Sequence, residues 1–143
     1  MAGSSSLTPK SVSPSRAPRR FTLDEANKTL PLVKRIVGDI VKIQQRGAEL
    51  EIALANAAPK DQSAIQSELG HALERLQAFV KELSRVGCQL KDRKIGLIDF
   101  PGRHQERDIC LCWKLGEEQI EFWHETDAGY TGRQPVSSLA QTV

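Results

Sequence analysis

Between Leu32 and Val86 the large apolar residues recur at steps of three and four, and the pattern breaks once, around Pro59. That spacing places them along one face of a helix. The first stripe is Leu32, Ile36, Ile40, Ile43, Gly47, Leu50 and Leu54, widened by Val33, Val37 and Val41. Lys34, Arg35, Asp39, Lys42, Gln45, Arg46 and Glu49 fall largely elsewhere. Pro59 disfavours helix in the residue before it, so the first helix is predicted to end near Ala58. The second begins around Asp61 or Gln62 and carries Ile65, Leu69, Leu73, Leu76, Val80, Leu83 and Val86, with Ala72 and Phe79 beside them. Gly87 is a natural C-terminal cap. Each helix would run for about 26 residues, roughly 40 Å. The short connection makes them antiparallel neighbours. Gly47 marks either a close approach or an incidental small residue.

The hairpin has a defined start. Thr22-Leu23-Asp24-Glu25 has the form of a capping box, a Thr at the cap and a carboxylate three residues on. Helix is expected through about Leu30, with Pro31 either kinking it or opening a new one. Residues 1–20 are Ser, Pro, Ala, Arg and Lys with almost no large apolar side chain, and are expected to form a disordered basic tail.

After Gly87 the period changes to two. Ile95 to Phe100, Asp108 to Trp113 and Ile120 to Glu125 read as strands, with a further extended piece at Cys88 to Leu90. Pro101-Gly102 and Leu115-Gly116-Glu117-Glu118 supply the turns. The expected fold class is α+β. A long antiparallel helical hairpin (22–87) is followed by a three- to four-stranded antiparallel β-meander and loop (88–136) within one domain, 21–136. The sheet would pack one face on the helices. Asp127 to Pro135 reads as a loop, and 137–143 as a frayed tail.

Several stretches together resemble a known family. They are Phe21 to Asn27, Gly96 to Pro101, Leu111 to Trp113, Leu115 to Glu117, Trp123 to Glu125 and Gly129 to Pro135. Over roughly residues 20 to 136 the chain resembles the bacterial family called domain of unknown function 2203. The resemblance implies no activity, cofactor or partner. It does imply that the sheet and final loop carry the family's identity.

Chemistry-bearing residues gather in the second half. Asp99, His124, Glu125, Asp127 and Arg133 form a candidate polar cluster. Imidazole and carboxylate are standard ligands for zinc, iron or manganese, so His124, Glu125 and Asp99, with Asp92 nearby, are metal candidates, and a divalent ion is the cofactor class they admit. Against this, His71 sits on a helix and His104 in a turn, and adjacent strand residues His124 and Glu125 point to opposite faces. His124 is expected on the side of Ile120 and Phe122. The bland alternative, favoured here, is a hydrogen-bonded His124 with Arg133 clamping the last loop through Asp99, Glu125 or Asp127. Cys110 and Cys112 share a strand face and, with Cys88 and His124, would make a Cys₃His zinc set. Their single-residue spacing inside a strand fits zinc poorly, and apolar packing is the better account. Gly129 to Arg133 lacks the following helix of a phosphate loop.

Composition narrows the function classes. The net charge of +2 gives no strong pull toward nucleic acid or acidic lipid. Trp113, Trp123, Phe100, Phe122 and Tyr130 concentrate in the sheet region, but acidic Glu117, Glu118, Glu121, Glu125 and Asp127 surround them, which disfavours a base-stacking surface. No apolar run approaches the ~20 residues needed to span a bilayer. Three cysteines without an export signal point to reduced thiols and a cytoplasmic protein. The reading is a protein-interaction or self-assembly module, a homodimer through a hairpin whose stripe is wider than one partner helix needs. It leans against an enzyme. The alternative is a small metal- or ligand-binding protein or enzyme centred on His124, Glu125, Asp99 and Arg133.

Overall fold

The computed structural model describes residues 19–141. Residues 1–18, most of the expected basic tail, lie outside the described residues, as do Thr142 and Val143. Helix α1 spans Leu23–Ala55 and α2 spans Pro59–Val86. The capping box forms in full. Thr22 Oγ1 accepts from the Glu25 amide at 3.1 Å, and the Thr22 amide donates to Glu25 Oε1 at 2.9 Å. Pro31 lies inside α1 and does not divide it. Its ring faces solvent, and the buried stripe on either side (Leu30, Val33, Ile36, Val37) keeps the helix running against the sheet. Pro59 opens α2 at its first turn, where a missing N–H costs nothing. The second helix therefore begins two residues earlier than expected. Gly87, at φ +110°, closes it.

The sheet has five antiparallel strands in chain order: β1 (Gln89–Asp92), β2 (Leu97–His104), β3 (Arg107–Lys114), β4 (Phe122–Glu125) and β5 (Gln134–Pro135). This is the expected meander with one short strand more, drawn from the segment read as loop. Two turns differ from the sequence reading. Pro101 and Gly102 are not a turn but part of β2. The chain reverses instead at Gln105 and Glu106, both at positive φ, +52° and +64°. Proline is tolerated at position 101 because β1 begins opposite Asp99, leaving the far half of β2 as an edge. Phe21 covers that edge by donating its amide to the Pro101 carbonyl at 2.8 Å. Ile95 belongs to the turn before β2, where Asp92 Oδ1 accepts from the Lys94 amide at 2.8 Å and Gly96 takes φ +72°.

One face of the sheet meets the helices. Ile98, Phe100, Ile109, Leu111, Trp113 and Trp123 join Ala26, Leu30, Val33, Val37, Ile40, Leu76 and Leu83 in one core. The two ends expected to be loose are partly held. Arg19 stacks on the Phe21 ring at 4.2 Å, and Arg20 pairs with Asp108 at 3.0 Å. Val136–Gln141 forms a 3₁₀ helix that buries Leu139 in the core, so this part of the presumed frayed tail is folded on the domain. Among the described residues, no helix is long and apolar enough to cross a membrane.

Candidate functional site

Strand alternation sends the residues between the core positions to the other sheet face. The register pairs Asp99 with Cys112, and Cys110 with His124. Asp99 on β2, Cys112 on β3 and His124 on β4 therefore share one patch on three neighbouring strands. Among the described residues, Asp99 and His124 are the buried polar side chains, 4% and 2% exposed. Cys112 is buried beside them, and the three ligand-type atoms lie within 4.8 Å of one another.

His124 is held at both nitrogens. Nδ1 lies 2.7 Å from the Glu125 carbonyl oxygen, and Nε2 lies 3.0 Å from Asp99 Oδ1. A carbonyl oxygen only accepts, so Nδ1 carries a proton and donates it. Nε2 faces a carboxylate, so that contact also needs one proton, on the imidazole or on Asp99. The pair with its shared proton is neutral overall, which is how a buried carboxylate and imidazole escape a large desolvation cost. Burial, and then the neighbouring Asp99 carboxylate, push the Cys112 thiol up to about 12. The same two causes push Cys110 up to about 11. Both hold their protons at neutral pH. Cys110 faces a cavity of about 210 Å³ lined also by Arg20, Gln89, Asp99 and Thr126.

The rest of the expected cluster is dispersed. Glu125 points to the core side of the sheet edge and pairs with Arg107 at 3.1 Å. Asp127 is exposed in the turn after β4. Arg133 clamps the last loop, but its partner is Glu117, at 2.8 Å, and not Asp99, Glu125 or Asp127. Its guanidinium lies 4.1 Å over the Phe122 ring and 5.0 Å from the Tyr130 ring, with Nε buried and lacking a hydrogen-bond partner. Glu117 sits in the turn after β3, where Oε1 also accepts from the Lys114 amide at 2.8 Å. Its role follows from the fold and was invisible in the local sequence. Cys88 leaves the Cys₃His set because it belongs to the helix–sheet core. Ile120 precedes β4 and turns into the core, away from His124; its amide donates to Asn27 Oδ1 at 2.8 Å. Of the sheet aromatics, Phe100, Trp113 and Trp123 are core residues.

The sequence reading set Cys112 with His124 in the Cys₃His group but did not join it to Asp99. The signal for that link was the hairpin register. A turn at Pro101-Gly102 would set Asp99 opposite His104, whereas the turn at Gln105-Glu106 sets it opposite Cys112.

Fold and site together define a small α+β protein with a helical hairpin on one sheet face and a buried Asp–Cys–His group on the other. The chain belongs to the family described as uncharacterized conserved protein (DUF2203), whose model matches residues 19–136, well over half of the chain. No curated protein and no solved structure matches it.

Proposed function

We propose that the protein is a cytoplasmic interaction module that self-associates through the outer half of its helical hairpin. One observation carries this reading: large apolar side chains stand in solvent on a stretch of hairpin that lies beyond the helix–sheet core. That core takes α1 residues only as far as Ile43, and α2 residues only from Ala72 onward; farther out, the hairpin buries Leu50. Beyond it Ile52 is 66% exposed, and Leu73, at the margin, is 51% exposed. Leu73 stands in a groove with Leu69, Ala72 and Leu76, beside Gly47 and Ala48. A side chain at Gly47 would meet nothing within 4 Å, so another helix can approach closely there.

A second copy is the occupant that the charges fit. Glu51 lies toward the hairpin tip, and Lys81 and Arg93 lie at the other end of the groove. A two-fold axis near Leu73 would set the tip of each copy against the base of the other, acid against base, in a four-helix bundle. The three free thiols fit the reducing setting assigned to it. The alternative centred on Asp99, His124, Glu125 and Arg133 keeps only Asp99 and His124 as neighbours.

Light scattering behind gel filtration tests the proposal. The full chain is expected to run as a dimer at tens of micromolar, and Leu73→Glu and Ile52→Glu as folded monomers. A wild-type monomer across that range overturns it, as does a dimer that both variants leave intact.

A further inference from the structure

We propose that Asp99, Cys112 and His124 form a binding site for one divalent cation of the zinc class. The ligand set differs from any read in the sequence, because Glu125 is turned away and Cys112 takes its place. Three features of the site point to a metal.

The first is the donor set. A carboxylate oxygen, an imidazole nitrogen and a sulfur converge from three hydrogen-bonded strands, a rigid frame. Hard cations such as Mg²⁺ and Ca²⁺ take oxygen ligands, whereas zinc binds this mixture. Around a tetrahedral zinc these atoms would stand ~3.3–3.8 Å apart, given bond lengths of about 2.0–2.3 Å. The 3.0 Å contact between His124 and Asp99 opens slightly, and the sulfur closes in from within 4.8 Å.

The second is the orientation of His124. A metal-bound histidine commonly donates its other ring N–H to a carbonyl or carboxylate, which fixes the tautomer. The contact of Nδ1 with the Glu125 carbonyl does this, and aims Nε2 at Asp99 and Cys112.

The third is charge. Without metal the site holds one carboxylate, one thiol and an imidazole, with one proton shared between Asp99 and His124. Binding releases that proton and the thiol proton. The dication is then matched by the carboxylate and the thiolate, so the buried site is neutral before and after. Three protein ligands leave a fourth position for water or another small ligand. Of the three ligands, Asp99 lines the cavity of about 210 Å³ shared with Gln89, Cys110 and Thr126.

Cobalt(II) added to the untagged, reduced full-length protein tests the site. One equivalent is expected to bind with thiolate-to-cobalt charge-transfer absorption in the near ultraviolet, release two protons in weak buffer at neutral pH, and be displaced by zinc. The absorption is expected to vanish in Cys112→Ser and to persist in Cys110→Ser and Cys88→Ser. Absence of the thiolate band in folded wild-type protein overturns the proposal. So does a band lost with Cys110 or Cys88 and kept in Cys112→Ser. If Cys112→Ser does not fold, the wild-type proton count decides, and a release of fewer than two protons counts against the site.

Discussion

A buried thiol is a small apolar side chain until it ionises. Cys88 packs between the end of α2 and the sheet, its Sγ 3.7 Å from the Leu83 carbonyl oxygen, and burial pushes it up to about 12. Its ordinary value is 9.0, so above that pH the unfolded chain sheds a proton that the folded chain keeps. The thiol's contribution is whole below pH 9 and falls as pH rises toward 12, by up to about 1.4 kcal/mol per pH unit. Cys88→Ala is therefore expected to lose less stability than the wild type between pH 8 and pH 10, by about 1 kcal/mol. Urea unfolding at the two pH values measures this, and equal losses would refute it. The residue scale also holds what was least legible. Asp99 and His124 were each visible as chemistry-bearing, but Cys112 joins them only through a register that no local pattern prints.

Elements here are placed by punctuation as much as by periodicity. The helix stripes were readable because each apolar step of three or four residues repeats for many turns, and a long signal survives a local exception such as Pro31. The strands are short, so one misplaced turn shifts all their partners. Pro101-Gly102 has turn chemistry, yet the edge position of β2 accommodates it, and Phe21 and Leu111 close over Gly102. Gly96 is the true boundary. It takes φ +72°, and a Cβ there would stand 2.7 Å from Val37 Cγ1 of α1 and 2.9 Å from Leu115 Cβ. Gly96→Ala is expected to cost about 2 kcal/mol or more, because strain and a clash with the helix face coincide. Denaturant unfolding checks it; a loss under about 0.5 kcal/mol, the scale of an ordinary surface substitution, would show that the α1–sheet contact gives way easily.

At the scale of the molecule the hairpin and sheet share one core, but the hairpin reaches past it. Its outer half buries Leu50 but leaves Leu73 and Ile52 exposed, and the proposed dimer would cover them. If a second copy does so, folding and association are linked, and the thermal midpoint rises with protein concentration. A tenfold dilution through the dissociation range is expected to lower the midpoint of the wild type and leave that of Leu73→Glu unchanged. A wild-type midpoint independent of concentration would argue that the arm stands alone.

Sequence alone determined the hairpin, its capping box, the α+β class and the family, because helical periodicity and short motifs are properties of neighbours along the chain. Only the tertiary structure decided which polar residues meet. Asp99, Cys112 and His124 lie on three strands, and Arg133 finds Glu117 across a turn. Such meetings depend on strand register, and a side-chain period of two makes register sensitive to where each turn falls.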